Sequence, residues 1–434
     1  MNKKASSMED VFSLFRPEAL TEEQFGFYQN TAAVRTGKQF EFNDLLLKNI
    51  LSTEKYGNYS HLLVVGHRGC GKSTELNMLD YKLREAGSPV VFIKAIPDLD
   101  LYGFEFIDVL MLIIDKLAQY ADSNNLKINK HILDAFRAAL SNHITLEYWD
   151  ESAGIGLDVE ISISSGPMSW FLKAMAKINS YLKVTSGMKE ELRREIKSKM
   201  PDVIRVLNAF VKDLSSQTTQ GIVIIIDGLE KCIPETVRKL FVEDLSAITG
   251  INAHLIISCP PEIYLSVDNV VLTSYFSSIE FVPMIKTHDQ LYKPYRKGIK
   301  VIKELVFKRA DASFFGKGVL EEIILGAGGS LRETCRFVSN CAFEAMTQGK
   351  EVIDAGVARA EMNTRAIELF RILPRECYAE VKKIYEGDTS IGQRDNINQL
   401  LYYGGFVFEY NHERWVDLHP LLRKHIEKRP EVLD

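Results

Sequence analysis

Short, almost wholly apolar runs punctuate this chain, at His61-Leu62-Leu63-Val64-Val65, Val90-Val91-Phe92-Ile93, Ile222-Val223-Ile224-Ile225-Ile226 and His254-Leu255-Ile256-Ile257. Runs this short, apolar at alternate and intervening positions alike, predict strands buried on both faces of a sheet. A fifth strand is expected over Ser277 to Pro283. Between the second and third runs, Phe106, Val109, Leu110, Ile113, Ile114 and Leu117 recur at helical spacing over 104–121. The order strand, helix, strand, helix predicts a parallel α/β sheet covered on both faces.

The rhythm breaks over 122–219. Ile155, Leu157, Val159, Ile161 and Ile163 alternate with polar residues, the period of a half-buried strand. Trp170, Phe171, Met175, Ile178 and Leu182 then form a stripe with lysines between them. That stripe predicts core or interface packing before it predicts a membrane face. A charged helix (Lys189 to Lys199) and an amphipathic one (Val203 to Leu214) follow, so the region reads as an insertion and as the best contact surface for a partner. Beyond Tyr292 the pattern is helical at 297–310, 318–327, 331–342 and 353–370. The last block reads as three helices, with Leu369 to Leu373, Cys377 to Tyr385 and Ser390 to Tyr403 as their spans. A hairpin (Phe406 to Tyr410, Arg414 to Leu418) turns at Asn411-His412-Glu413 and precedes a final helix from His419, the succession of a winged helix.

Chemistry enters at two strand ends. The first strand runs into Gly66-His67-Arg68-Gly69-Cys70-Gly71-Lys72-Ser73-Thr74, a GxxxxGK[ST] loop with a helix after it. Glycines let successive backbone N–H groups turn inward around phosphate oxygens, beside a helix N-terminus. Lys72 is expected at the β- and γ-phosphates, and Ser73 on Mg²⁺. The run Gly221 to Ile226 ends in Asp227-Gly228-Leu229-Glu230, a Walker B pattern. Asp227 would hold the magnesium shell, and Glu230 would orient or deprotonate the attacking water. Ser258 ends the next strand, where a polar residue can face the γ-phosphate. Phe25, Phe27, Tyr28 and Arg35 either cover the base or simply pack.

Composition narrows the setting. The 434 residues call for two or three domains. A net charge of −5 gives no general attraction to nucleic acid or anionic membrane. No apolar run is long enough to span a bilayer. Six cysteines lack CxxC spacing, and Cys70 sits inside the phosphate loop, which points to a reducing cytoplasm.

These motifs together resemble the AAA+/STAND group of P-loop ATPases. Asp227-Gly228-Leu229-Glu230 is similar to the NACHT-type Walker B, with a small residue after the acid and the second acid further on. That resemblance implies slow hydrolysis. Gly328-Gly329-Ser330-Leu331-Arg332 is similar to the sensor-2 segment of AAA+ lids, with Arg332 as its arginine. Asp417-Leu418-His419-Pro420 resembles the Met-His-Asp region of NB-ARC winged helices, which implies that His419 contacts the nucleotide; Pro420 departs from the usual Asp. The resemblance implies a P-loop NTPase sheet followed by a helical lid and a winged-helix domain. The expected divisions are an N-terminal segment (1–40), an ATPase core (41–290) with its insertion at 122–219, a lid (291–362) and a winged helix (363–434).

The function implied is an ATP- and Mg²⁺-dependent switch or assembly ATPase, a homo-oligomer acting on a separate protein partner, as in bacterial defence or signalling. The alternative is a DNA-associated ATPase resembling origin-recognition loaders. Residues 362–434 carry 11 Lys/Arg against 12 Asp/Glu, and the third helix offers only Arg394, so nucleic acid is the less favoured partner. Arg238, Arg296 and Arg309 are candidates for an arginine finger acting between subunits.

Overall fold

A computed structural model describes residues 3–428, apart from 39, 101–102, 141–166, 184–186, 243, 266–268, 389–395 and 411–414. The alternation expected over 155–163, Arg394 and the hairpin turn at 411–413 lie outside the described residues.

Five parallel strands form the central sheet: β1 (His61–Val65), β2 (Val90–Lys94), β3 (Val223–Asp227), β4 (His254–Cys259) and β5 (Ser278–Phe281). Their order is β2-β3-β4-β1-β5. Strand residues alternate between two cores, as a pleated strand requires. Ile224, Ile226, Leu255 and Ile257 face the helix Phe106–Ser123, while Val223, Ile225 and Ile256 face the helix Lys72–Glu85. Each fully buried Val or Ile side chain contributes roughly 1.5–3 kcal/mol, so both sheet faces are heavily anchored. A charge placed at Ile225 would break this layer. The register sets Val65 beside Cys259, and Lys94 beside Asp227. The C-terminal ends of β1, β3 and β4 therefore emerge side by side, where ligands bind in open α/β sheets.

The inserted helices Lys130–Leu140, Pro167–Lys183, Gly187–Ser198 and Met200–Ser215 extend the first core. Phe171, Met175, Ile178 and Leu182 are buried there, so this stripe packs inward. The charged helix packs inward too. Lys189 and Arg193 are buried on Asp100 (2.9 Å) and Asp108 (2.5 Å), because each has a carboxylate to meet it.

A second core gathers the helices Arg296–Phe307, Val319–Gly326, Leu331–Thr347 and Ala355–Ile372 with Met8, Val11 and Phe15 from the N-terminus. The expected boundary at 362/363 falls inside the helix Ala355–Ile372, whose buried face continues through Leu369. The helix expected at Leu369 to Leu373 is the end of that same helix. Tyr378–Tyr385, Asn396–Tyr403 and Pro420–Glu427 follow, around an antiparallel hairpin of β6 (Val407–Tyr410) and β7 (Trp415–Leu418). Leu401, Val407, Leu418 and Leu422 join the second core, while Phe408, Tyr410 and Trp415 pack with residues under the phosphate loop. No helix among the described residues is long and apolar enough to cross a membrane. All six cysteines are buried thiols.

Candidate active site

The loop after β1 turns on glycines where no side chain fits. Gly69 has φ +83°, and a Cβ there would lie 2.7 Å from Ser330 Oγ and 2.8 Å from Arg332 Cβ. Positive φ and this close approach together require glycine. The helix Lys72–Glu85 begins directly at Gly71, with its N-terminal end at the loop. A cavity of about 380 Å³ opens over it. Gly69, Gly71, Lys72, Ser73 and Thr74 of the loop line it, together with Asp227, Glu230 and Arg332. His67 also reaches the cavity, whereas Gly66, Arg68 and Cys70 do not line it.

Lys72 is buried and donates to the carbonyls of Gly66 (2.5 Å) and His67 (3.0 Å). Its Nζ lies 4.0 Å from Glu230 Oε1. Burial opposes the ammonium, but Glu230 and Asp227 outweigh it and hold its pKa above the ordinary value. Asp227 is pushed up by burial and then by the charge of Glu230, with a Ser73 hydrogen bond offsetting part of the effect. For Glu230, burial pushes up but Lys72, the backbone and neighbouring cations win, leaving it below its ordinary value. Glu230 is therefore ionised at neutral pH.

Ser258 is fully buried behind Glu230 instead of facing the cavity. Its hydroxyl accepts from the Gly228 N–H (2.9 Å) and donates to Glu230 Oε2 (3.3 Å). Gly228 has φ +95°, so the position after Asp227 is a left-handed turn that a second carboxylate would occupy only with strain. His419 does not line the cavity either. It is buried, caps its own helix by accepting from the Leu421 N–H (3.2 Å), and packs on Phe408 at 5.0 Å.

The N-terminal segment straps across the cavity. The Leu20 N–H donates to Thr74 Oγ1 (3.2 Å) and Asn77 donates to the Leu20 carbonyl (2.8 Å). Phe27 and Tyr28 line the cavity, whereas Phe25 packs edge-on against Tyr81 at 5.6 Å. Arg35 lines it too, but its guanidinium is committed elsewhere. Buried, it donates to Cys70 O (2.6 Å), to Thr31 Oγ1 (2.7 Å) and to Pro283 O. It holds the phosphate loop from behind.

Three further contacts had no local signature. The Glu409 N–H of the hairpin donates to His67 Nε2 (2.9 Å), and Tyr402 and Phe408 pack around the same ring at 5.4 and 5.8 Å. Arg68 donates to Glu230 O (2.5 Å) and lies 4.3 Å over Tyr403. The backbone N–H of Arg332 donates to Gly69 O (3.2 Å). A helix cap at Ser330 was legible, since Ser330-Leu331-Arg332-Glu333 has the Ser-x-x-Glu pattern and the hydroxyl accepts from the Glu333 N–H (3.3 Å). Of the three candidate fingers, Arg296 pairs with Glu321 (2.5 Å) and Arg309 is buried in this cavity; Arg238 lies on the helix Pro234–Val242.

Residues 45–248 match the profile of the KAP family P-loop domain. Together with the loop geometry, this makes the sheet and its phosphate loop a P-loop NTPase domain. No curated protein matches the chain. Among solved structures, Thermotoga maritima RuvB, a Holliday junction branch migration motor, superposes at 11% identity, 93% of this chain, 99% of that one and a TM-score of 0.36. Cdc6p from Pyrobaculum aerophilum does so at 12%, 94%, 100% and 0.39. The Aeropyrum pernix ORC1 protein in complex with DNA does so at 12%, 100%, 99% and 0.37. Likenesses this distant carry no weight for function.

Proposed function

We propose that this chain binds ATP with magnesium in the cavity, hydrolyses it slowly, and acts as an AAA+/STAND-type switch on a separate partner protein. Residues 1–40 serve as the strap, 41–290 as the nucleotide-binding core with its insertion, 291–362 as the lid and 363–434 as a winged-helix module. One observation carries the reading: three separate segments grip the phosphate loop. Arg35 holds Cys70, the Arg332 backbone holds Gly69, and the Glu409 backbone holds His67. A phosphate that reshapes this loop acts on strap, lid and hairpin together. Such a nucleotide shifts the equilibrium by its differential affinity for the two arrangements.

The donor set fits magnesium. Asp227 keeps a buried Oδ1 without a protein partner beside the Ser73 hydroxyl, and no cluster of three His, Cys, Asp or Glu is present among the described residues. Ser73 and Asp227 would hold the ion with phosphate oxygens completing its shell. When bound, the ion neutralises phosphate charge. Lys72 binds the terminal phosphates, Arg332 meets the γ-phosphate from the lid, and Glu230 orients the attacking water and takes its proton. The close Lys72–Glu230 approach depresses the basicity of Glu230, which favours slow turnover. His419 couples to the loop through Phe408 and His67.

Hydrogen exchange of residues 406–410 and 415–419, with a non-hydrolysable ATP analogue against ADP, tests the switch. The hairpin amides, Glu409 above all, should differ in protection between the two nucleotides. Identical protection, with both nucleotides bound, would reject it. Gel filtration under the same two conditions reads the expected change in assembly.

A further inference from the structure

The cavity lining carries a second cation besides those at the phosphate loop. Lys72, Ser73 and Arg332 line it there, while Arg309 lines it beside the apolar Phe27 and Cys335. Arg309 follows the helix Arg296–Phe307 and is only 5% exposed. Its Nη1 donates to Leu14 O (3.3 Å) and lies 3.4 Å from Cys335 Sγ. The guanidinium sits 5.5 Å from the Phe15 ring and 5.9 Å from the Phe27 ring. Nε is buried without an acceptor. No carboxylate pairs with Arg309 among the described residues.

A guanidinium in apolar surroundings is costly unless acceptors meet its donors. Among the described residues one carbonyl, that of Leu14, accepts from Arg309, a side chain with five N–H donors. The place of the missing acceptor follows from the helix Leu331–Thr347. Its first turn rests on the loop through Arg332 and Gly69. Cys335, which Arg309 touches, lies one turn further along, about 5 Å away. Arg309 is therefore set back by one helical turn from the contact between the lid and the phosphate loop, on the side where the rest of a nucleotide would extend. Its burial within its own subunit's cavity also argues against a finger extended to a neighbour.

We propose that Arg309 donates to an acceptor on the nucleoside half of the bound nucleotide, a base ring atom or a ribose hydroxyl, and so makes binding depend on the nucleoside as well as the phosphates. The inference rests on the nucleotide-binding reading above. It is tested by titrating the full chain with ATP, 2′-deoxy-ATP, 3′-deoxy-ATP and inorganic tripolyphosphate.

Arg309→Met should weaken ATP roughly tenfold to a hundredfold, the loss expected for a charged hydrogen bond, and leave tripolyphosphate unchanged. Arg309→Lys, which keeps the charge and stem without the planar fork, should also lose ATP selectively. If the acceptor is a ribose hydroxyl, the wild-type preference for ATP over the matching deoxy nucleotide disappears in both variants. If it is on the base, that preference survives. ATP affinity unchanged in both variants overturns the inference, as does an equal loss of ATP and tripolyphosphate in both. Failure of the wild-type chain to bind ATP would instead strike the nucleotide-binding reading.

Discussion

Glu230 is held between a hydroxyl and an ammonium, with Ser258 3.3 Å from one oxygen and Lys72 4.0 Å from the other. Its carboxylate is therefore aimed before any substrate arrives, which is what a general base needs. Glu230→Gln should bind ATP about as well as wild type and lose hydrolysis by roughly 10²–10⁴, the usual contribution of such a base. Lys72→Ala should abolish ATP binding, because no other side chain on the loop supplies an ammonium. Titration calorimetry and a phosphate-release assay check both; full turnover in the Glu230 variant would move the base elsewhere. Lys72, Asp227 and Glu230 were legible because each is fixed by spacing within a few residues of its motif. The support that Ser258 gives was not. It arises only because β4 lies next to β3, a fact of sheet order that no local pattern encodes.

At the scale of elements, strands and helices followed from periodicity, whereas their polar joints did not. His67 reads as an interchangeable position within the loop, yet it receives the hairpin's Glu409 N–H. Burial, with Lys72 beside it, lowers its pKa to about 3, and burial lowers His419 to about 4. Both rings titrate near 6.5 when unfolded, so between about pH 6.5 and 4 the unfolded chain binds more protons. Their stabilisation is complete above the unfolded value and is lost as pH falls, by about 1.4 kcal/mol per pH unit for each histidine. Urea midpoints should therefore drop between pH 7 and pH 5. In His67→Gln, whose amide oxygen can still accept from Glu409, that drop should shrink by one histidine's share. An undiminished drop would show that His67 is not one of the groups responsible.

At the scale of the molecule, the segment between sheet and lid is tied to the C-terminal hairpin by a buried carboxylate. Asp417 accepts from Arg423 Nη2 (2.6 Å), from Tyr292 OH (3.3 Å) and from its neighbour's Leu418 N–H (2.7 Å), and lies 3.0 Å from His288 Nε2. Arg423 continues to the carbonyls of Tyr385 and Ile384. Burial opposes the charge on Asp417, but His288 and Arg423 win and keep it below its ordinary pKa. In the sequence, Asp417 was simply the residue two before the histidine expected at the nucleotide. Its four partners span more than a hundred residues, so only the folded chain exposes its role. Asp417→Ala leaves the buried Arg423 uncompensated and should cost about 3–5 kcal/mol of stability, as breaking a buried pair does. Asp417→Asn keeps a hydrogen-bonding group and should cost less. ATP affinity should change little in either folded variant, because Asp417 does not line the cavity. If ATP binding fell while the denaturation midpoint stayed put, the hairpin would be acting on the nucleotide directly rather than through the contacts that hold His67.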